Sequence, residues 1–151
     1  MDNLNGSINI TGHVTLRVFN SKGELKSTHE NRNLVVTAGK NYLATWLTAA
    51  SQAGKFMSYI GLGTGTDAAS SSDTDLQTPL ATRVLGTLSA STNVWQNVAT
   101  FDAGVDTDPA ITEAGLFTAS SAGTMFARTV FTAVEKEAGD SLEFTWQVTL
   151  S

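Results

Sequence analysis

Three alternating glycines are the part of this sequence that most resembles a chemical site. Gly61, Gly63 and Gly65 follow an apolar run in YIGLGTGTDAASSSDTDLQTPL. Glycine exposes backbone N–H groups that can bind phosphate, but a Walker loop also needs a lysine, and this stretch contains none. A dinucleotide loop opens a helix, whereas this stretch continues into small polar residues. We therefore predict a strand that ends in a long surface loop, 63–78, with no cofactor.

Three aspartates lie close together in FDAGVDTDPA, at Asp102, Asp106 and Asp108. Carboxylate oxygens at such spacing can hold calcium. The fixed spacing of an EF-hand and its closing glutamate are missing, and aspartates beside Pro109 suit a turn equally well. Calcium remains an open alternative, and our prediction is that there is no metal site.

The other candidates for acid–base chemistry are isolated from one another. Glu113 lies in the otherwise apolar run ITEAGLF, where it can be a catalytic carboxylate or the partner of Arg83 or Arg128. His13 and His29 are the only histidines, and neither has a carboxylate and a nucleophile at a recognised spacing. No G-x-S-x-G motif occurs. We interpret Glu113 as a structural hydrogen-bond or ion-pair partner and predict no catalytic residue.

The elements that would position these residues are mostly strands. Apolar and polar residues alternate in SINITGHVTLRVF and in LEFTWQVTL, a period of two that is typical of strands with one buried face. The turn NSKGE after the first run predicts a hairpin over residues 1–32. Phe144 and Trp146 are expected in the core, because exposing each would cost roughly 2 kcal/mol or more. Trp95 and Phe101 can face either the core or a partner.

One segment has helical spacing instead. TAGKNYLATWLTAA places Leu43 and Trp46 on one face, and Thr37 is a suitable N-cap, so we predict a helix over 37–50. The remaining runs give about eight strands with frequent turn signals between them. Together these patterns predict a single mainly β domain over 1–151, an antiparallel β-sandwich of the jelly-roll or immunoglobulin-like kind.

Composition argues against several classes of function. The chain has 151 residues and a net charge of −5, with no cluster of lysine and arginine, so nucleic acid and membrane surfaces are poor partners. It has no cysteine, which removes disulfides and thiol chemistry. Its N-terminus, MDNLNGSINITGHV, lacks the basic and apolar regions of a signal peptide, so we expect synthesis in a cytoplasm.

Four stretches of the chain resemble a family of small virion proteins of tailed bacteriophages. They are NLVVTAGKNYLATWL, YIGLGTGTDAASSSDTDLQTPLATR, ITEAGLF and MFARTVFTAVEKEAGDSLEFTWQVTL. The similarity lies in N-L-V before G-K, a G-x-G-T loop ending in D-T-x-L, a T-E-A-G-L-F strand and a closing G-D-S-L strand. Members of this family resemble β-sandwich modules that serve as capsid decoration or cement proteins, or as parts of tails and fibres.

The resemblance implies a non-enzymatic structural protein of the virion, a homo-oligomer whose partners are capsid or tail proteins. Our first hypothesis is a capsid decoration protein that bridges shell subunits, and the second is a tail, baseplate or fibre component, as an adaptor or receptor-binding module. A third is a small hydrolase or carbohydrate-binding module that uses Glu113 and the acidic cluster. Because unpaired strand edges can bind a neighbour, we expect attachment through the N-terminal strand, 5–20, the C-terminal strand ending at Ser151, and the long loop.

Overall fold

The chain forms an antiparallel sheet of nine strands with one α-helix, in a computed structural model that describes residues 8–48 and 56–151. Side chains are described at all of these positions except 47, 48, 108 and 109. The strands are β1 (Ile10–Phe19), β2 (Leu25–Val35), β3 (Tyr59–Gly63), β4 (Pro79–Leu85), β5 (Thr87–Ser91), β6 (Val94–Phe101), β7 (Asp108–Phe117), β8 (Met125–Lys136) and β9 (Ser141–Leu150), and the helix is α1 (Thr37–Thr48). The predicted class, mainly β and antiparallel, is confirmed.

The sheet nearly closes on itself. Its strand order is β4-β3-β7-β8-β2-β1-β9-β6-β5, so β4 and β5 lie at opposite ends. These two strands are consecutive in the chain, and only Gly86 separates them. The N–H of Gly86 donates to the carbonyl oxygen of Ser58 at 2.7 Å. One residue therefore carries the chain from the first strand of the sheet to the last.

Gly86 also explains why the sequence predicted one strand too few. RVLGTLSAS has the pattern of a single strand, but it changes partner at Gly86, from β3 to β6. A Cβ atom at this position would lie 1.6 Å from the Oδ1 of Asn97 and 2.9 Å from the carbonyl oxygen of Val98. Glycine thus allows Asn97 to pack over the connection and to donate its amide to the Met57 carbonyl at 3.0 Å.

The strands with regular alternation supply the core. Their buried residues are Val14, Leu16 and Val18 of β1 and Leu142, Phe144, Trp146 and Val148 of β9. The rings of Phe144 and Trp146 stack with centroids 5.7 Å apart, which confirms the prediction for both. Phe101 is fully buried and Trp95 packs against the same cluster, so both face the core.

The strands predicted to attach to a partner lie inside the sheet, and that prediction is wrong. β1 pairs with β2 on one side and with β9 on the other, and β9 also pairs with β6. Ladders cover both edges of β9, and both edges of β1 from Gly12 to Phe19, so a long free edge is left on neither strand. Alternation reports which face of a strand is buried, and it carries no information about which strands are neighbours. The predicted hairpin is formed by β1 and β2, and its residues 1–7 lie outside the described residues.

The helix begins at Thr37, as predicted, and is described to Thr48; the last two residues of the predicted helix, 49–50, lie outside the described residues. A Cβ atom at Gly39 would lie 2.2 Å from the carbonyl oxygen of Phe126 on β8. Glycine therefore lets the first turn of α1 approach the backbone of β8 closely.

Replacing Gly86 by alanine should destabilise the fold. Gly86 is not among the residues with positive φ, so crowding of Asn97 rather than backbone strain would be the cause. We expect the free energy of unfolding in urea to fall by about 1–3 kcal/mol. Asn97→Ala removes the crowded amide, so the double variant should lose less than the sum of the two single losses. Strictly additive losses would contradict this explanation.

Candidate functional site

The glycine-rich end of β3 binds a carboxylate of its own chain. Oε1 of Glu113 accepts hydrogen bonds from the N–H groups of Gly65 at 3.0 Å and Thr78 at 2.7 Å. Oε2 accepts from the N–H of Gln77 at 3.0 Å. Glu113 is completely buried, and a Cβ atom at Gly63 or Gly65 would lie 2.5 or 2.6 Å from its Oε1. The glycines are needed for this close approach, and the Gly65 N–H that could have held a phosphate is occupied by Glu113.

Arg128 pairs with Glu113 and extends the network into the loop after β3. Its Nε donates to Glu113 at 2.9 Å, and its terminal nitrogens donate to the Asp73 carboxylate at 2.9 Å and the Asp67 carbonyl at 3.1 Å. Burial alone would lower the pKa of Arg128, but the hydrogen bonds and charges of Glu113 and Asp73 outweigh burial and raise that pKa above its usual value. The predicted ion pair of Glu113 is confirmed, and its partner is Arg128.

Arg83, the other predicted partner of Glu113, holds the β3–β4 loop (64–78) from another side. Its guanidinium lies 3.5 Å from the ring centre of Phe117. It donates to the carbonyl oxygen of Ala122 at 2.6 Å and to the carboxylate of Asp75 at 3.3 Å. These contacts tie the loop to the hairpin between β7 and β8.

The β3–β4 loop is anchored at several points along its length. Leu76 is buried in a small second core, and Asp73 accepts a hydrogen bond from the N–H of Ser70 at 2.9 Å. The N–H of Thr37, where α1 begins, donates to the Ser71 carbonyl at 2.8 Å. The carboxylate of Asp73 also accepts the hydrogen bond from Arg128. Exposed residues of the loop are therefore presented on a fixed backbone.

The acidic cluster of the sequence is divided among different roles. Asp106 accepts a hydrogen bond from the N–H of Thr82 on β4 at 3.2 Å, and burial raises the pKa of Asp106 above its usual value. The backbone carbonyl of Asp102 accepts from the Nζ of buried Lys136 at 2.9 Å, while the side chain of Asp108 is not described. Within the described part of the chain, no three histidine or acidic side chains are grouped to hold a metal ion.

The two histidines share the β1–β2 hairpin without forming a site. His13 lies opposite Arg32 and His29 lies opposite Leu16 in the ladder. The Nε2 of His29 is 3.2 Å from the Oγ of Ser27. Both residues are partly buried.

The ladder between β2 and β8 is incomplete, which opens a cleft between these strands. It consists of the pairs that Leu34 and Val35 make with β8. Closer to the start of β2, the contact between the strands is made by a side chain instead of the backbone. The side-chain amide of Asn31 donates a hydrogen bond to the carbonyl oxygen of Val130 at 2.5 Å. Beyond Asn31 the two strands share no further pair within the described residues. The edge of β2 is thus open over much of its length.

The cleft widens where β8 is irregular. The pairing of β7 with β8 jumps from Val130 to Val134, so the residues 131–133 form a bulge. A space of about 370 Å³ lies between this bulge and β2, and a second of about 530 Å³ continues it to Thr66 and Ala68 of the β3–β4 loop. Bulges often accompany functional sites. We name this groove the β2–β8 cleft.

Lys26, near the start of β2, forms ion pairs with two acidic residues that follow β8. Its Nζ lies 2.7 Å from Oδ2 of Asp140 and 3.6 Å from Oε2 of Glu137. The hydrogen bond from Lys26 holds the pKa of Asp140 below its usual value, although burial opposes this, and the same bond raises the pKa of Lys26.

An apolar pocket of about 230 Å³ lies on the surface beside α1. Its lining residues are Leu43, Trp46, Phe56, Met57, Trp95, Phe126, Val148 and Leu150. Phe56 is 47% exposed and Leu150 is 42% exposed, so the pocket has an apolar rim.

Comparisons of this chain with models of protein families, with curated proteins and with solved structures gave no match. Among the described residues, no helix is long and apolar enough to cross a membrane. The interpretation of the site therefore depends on its own geometry.

Glu113→Gln should destabilise the protein strongly. The new amide would face backbone N–H donors and would leave Arg128 buried with less compensation, so we expect a loss of about 3 kcal/mol or more in urea unfolding. Glu135→Gln, an exposed change on β8, is the control and should stay within about 0.5 kcal/mol of the wild type. A Glu113→Gln protein of normal stability that has lost an activity would support the hydrolase hypothesis instead.

Asp140→Asn should lower the melting temperature near neutral pH by a few degrees. Because the pKa of Asp140 is lowered by folding, its ionised form stabilises the fold above its unfolded pKa, and this contribution is lost as the pH falls through the folded pKa. Thermal melts across the acidic range should therefore converge for the variant and the wild type. A difference that persists in full at the lowest pH would show that the effect is not electrostatic.

Proposed function

We propose that this chain is a non-enzymatic structural protein of a tailed-bacteriophage virion and acts as a capsid decoration or cement protein. One observation carries the proposal: the stretches that resemble this family meet at a single buried network. The G-x-G-T loop contributes Gly65 and Asp73, the T-E-A-G-L-F strand contributes Glu113, and the closing stretch contributes Arg128. The remaining stretch, NLVVTAGKNYLATWL, contributes Thr37, whose N–H donates a hydrogen bond to the same loop.

The network supports adhesion because it fixes the β3–β4 loop before any partner binds. A loop that is already ordered loses little conformational entropy on binding, so more of its contact energy appears as affinity. The loop and the open edge of β2 border the same cleft. In the proposed role, loop and strand edge together bridge neighbouring capsid subunits.

The state of Glu113 favours this role over hydrolysis. A general acid or nucleophile must reach substrate, whereas Glu113 is completely buried and both of its oxygens accept hydrogen bonds from the protein. Its carboxylate organises the backbone around it.

We also infer that the sheet is flattened into a sandwich of the jelly-roll or immunoglobulin-like kind. Its two faces would be β2-β1-β9-β6-β5 and β4-β3-β7-β8. Two features support this division. β2 and β8 share a short ladder at Leu34 and Val35, and β4 and β5 are joined through Gly86. Each is a corner at which the strand direction can change.

The proposed function is tested with phage shells assembled without this protein. Purified protein should bind the shells saturably and raise the temperature at which they break open. Labelled antibody should lie over the shell in electron micrographs of intact particles. Label at the tail would favour the tail or fibre alternative, and absence from the particle would contradict both.

The role of the loop is tested by Thr74→Arg, at an exposed loop position. We expect shell binding to weaken by about tenfold or more, the effect of an added bulky charge inside an interface, while the melting temperature stays unchanged. Ser89→Arg, at an exposed position on β5, is the matched control and should bind like the wild type. Equal binding by both variants would remove the loop from the contact surface without excluding the virion role.

A further inference from the structure

Strand β2 has polar side chains on both faces, unlike the other long strands. The run KSTHENRN, residues 26–33, contains no apolar residue. Thr28, Glu30 and Arg32 are exposed on its outer face. Such a strand gains little stabilisation from burial against a core. Its edge and its outer face are therefore the surfaces that can bind a partner.

The backbone of β2 leaves an unpaired edge on the side away from β1. Successive residues of an antiparallel strand direct their N–H and C=O groups to opposite sides. Val36 donates its N–H to the Phe126 carbonyl of β8 at 3.1 Å, so the even-numbered residues of β2 face β8. The β2–β8 ladder does not extend from Leu34 down to Thr28 or Glu30. In the described structure, the backbone groups of Thr28 and Glu30 thus point into the open cleft.

When two copies of β2 pair in antiparallel orientation, residues of opposite charge lie across from each other. With a two-fold axis at Thr28, antiparallel pairing sets Lys26 opposite Glu30 of a second copy, and Glu30 opposite Lys26 of that copy. Thr28 then lies opposite Thr28 of the second copy. Opposite charges and paired threonines are favourable cross-strand neighbours.

The other registers are less suitable. An axis at Glu30 sets two glutamates opposite each other, and an axis at His29 sets Lys26 opposite Arg32 of the second copy. An axis at Asn31 needs the backbone of Leu34, which is already paired with β8. The axis at Thr28 sets opposite charges across the pair and uses the edge at Thr28 and Glu30, which the β2–β8 ladder does not reach. The carbonyl oxygen of Arg32 lies outside this edge, since it accepts a hydrogen bond from the Thr129 hydroxyl at 2.9 Å.

We propose that two copies of this chain form a dimer by antiparallel pairing of their β2 edges about a two-fold axis at Thr28. This dimer interface is independent of the proposed function, since it requires only a second copy. A β-bulge at Lys26 interrupts the regular β1–β2 ladder, so Lys26 contributes mainly its charge. Its ammonium group has three donors, and its contacts with Asp140 and Glu137 leave capacity for Glu30 of the second copy.

Sedimentation of the full chain tests the dimer at concentrations up to about 1 mM, which detects even weak association. The wild type should reach twice the mass of one chain. Glu30→Lys and Lys26→Glu each place like charges at two cross-strand positions, so each variant alone should associate about tenfold more weakly or worse. An equimolar mixture of these two variants restores opposite charges at both positions and should form a dimer again. Glu135→Lys makes the same charge change at an exposed position outside the edge and should dimerise like the wild type.

Thr28 supplies a second test that does not alter the contacts of Lys26. Thr28→Pro removes the N–H at the axis, whereas Thr28→Val keeps it, so only the proline variant should lose association. A wild type that stays monomeric at the highest concentration would overturn the proposal. So would a dimer that survives Glu30→Lys, a mixture of the charge variants that remains monomeric, or equal association of the two Thr28 variants.

Discussion

The buried pairing of Glu113 with Arg128 is the interaction on which the rest of the site depends. A carboxylate without exposure is tolerated only when its charge is compensated and its oxygens are hydrogen-bonded. Here the donors come from β8, from the glycine-rich end of β3 and from the end of the following loop. The network is complete only when all of these segments are in place. It therefore selects one path for the loop, and its value lies in that specificity more than in net stability.

Two kinds of surface result from this arrangement. The alternating strands β1 and β9 bury their apolar faces in the core and pair with neighbouring strands along their edges. Neither strand therefore offers a long free edge to a partner. In contrast, the polar strand β2 and the anchored β3–β4 loop bury few side chains, and both border the β2–β8 cleft. In the proposed role, stability and adhesion would depend on different strands, so changes in the proposed contact surface need not disturb the core.

Local patterns predicted the local parts of this structure. Period-two alternation gave the buried residues of β1 and β9, and Thr37 marked the start of α1. The pairing of Glu113 with Arg128 was also among the predicted options. The order of the strands, the change of partner at Gly86 and the internal position of β1 were not predictable, because they depend on contacts between distant segments. The two-sided polarity of β2 was readable in KSTHENRN, and it was the missed signal for an open edge.

The pairing of β1 with β9 has a consequence for biosynthesis. Their ladder joins Ile10 to Leu150, so the strand that leaves the ribosome first must wait for the strand that leaves last. Until then the apolar face of β1 lacks its principal neighbour, and contacts so distant in sequence form slowly. The sheet can therefore be completed only after β9 has been synthesised. During this interval the uncovered apolar face of β1 is prone to aggregation.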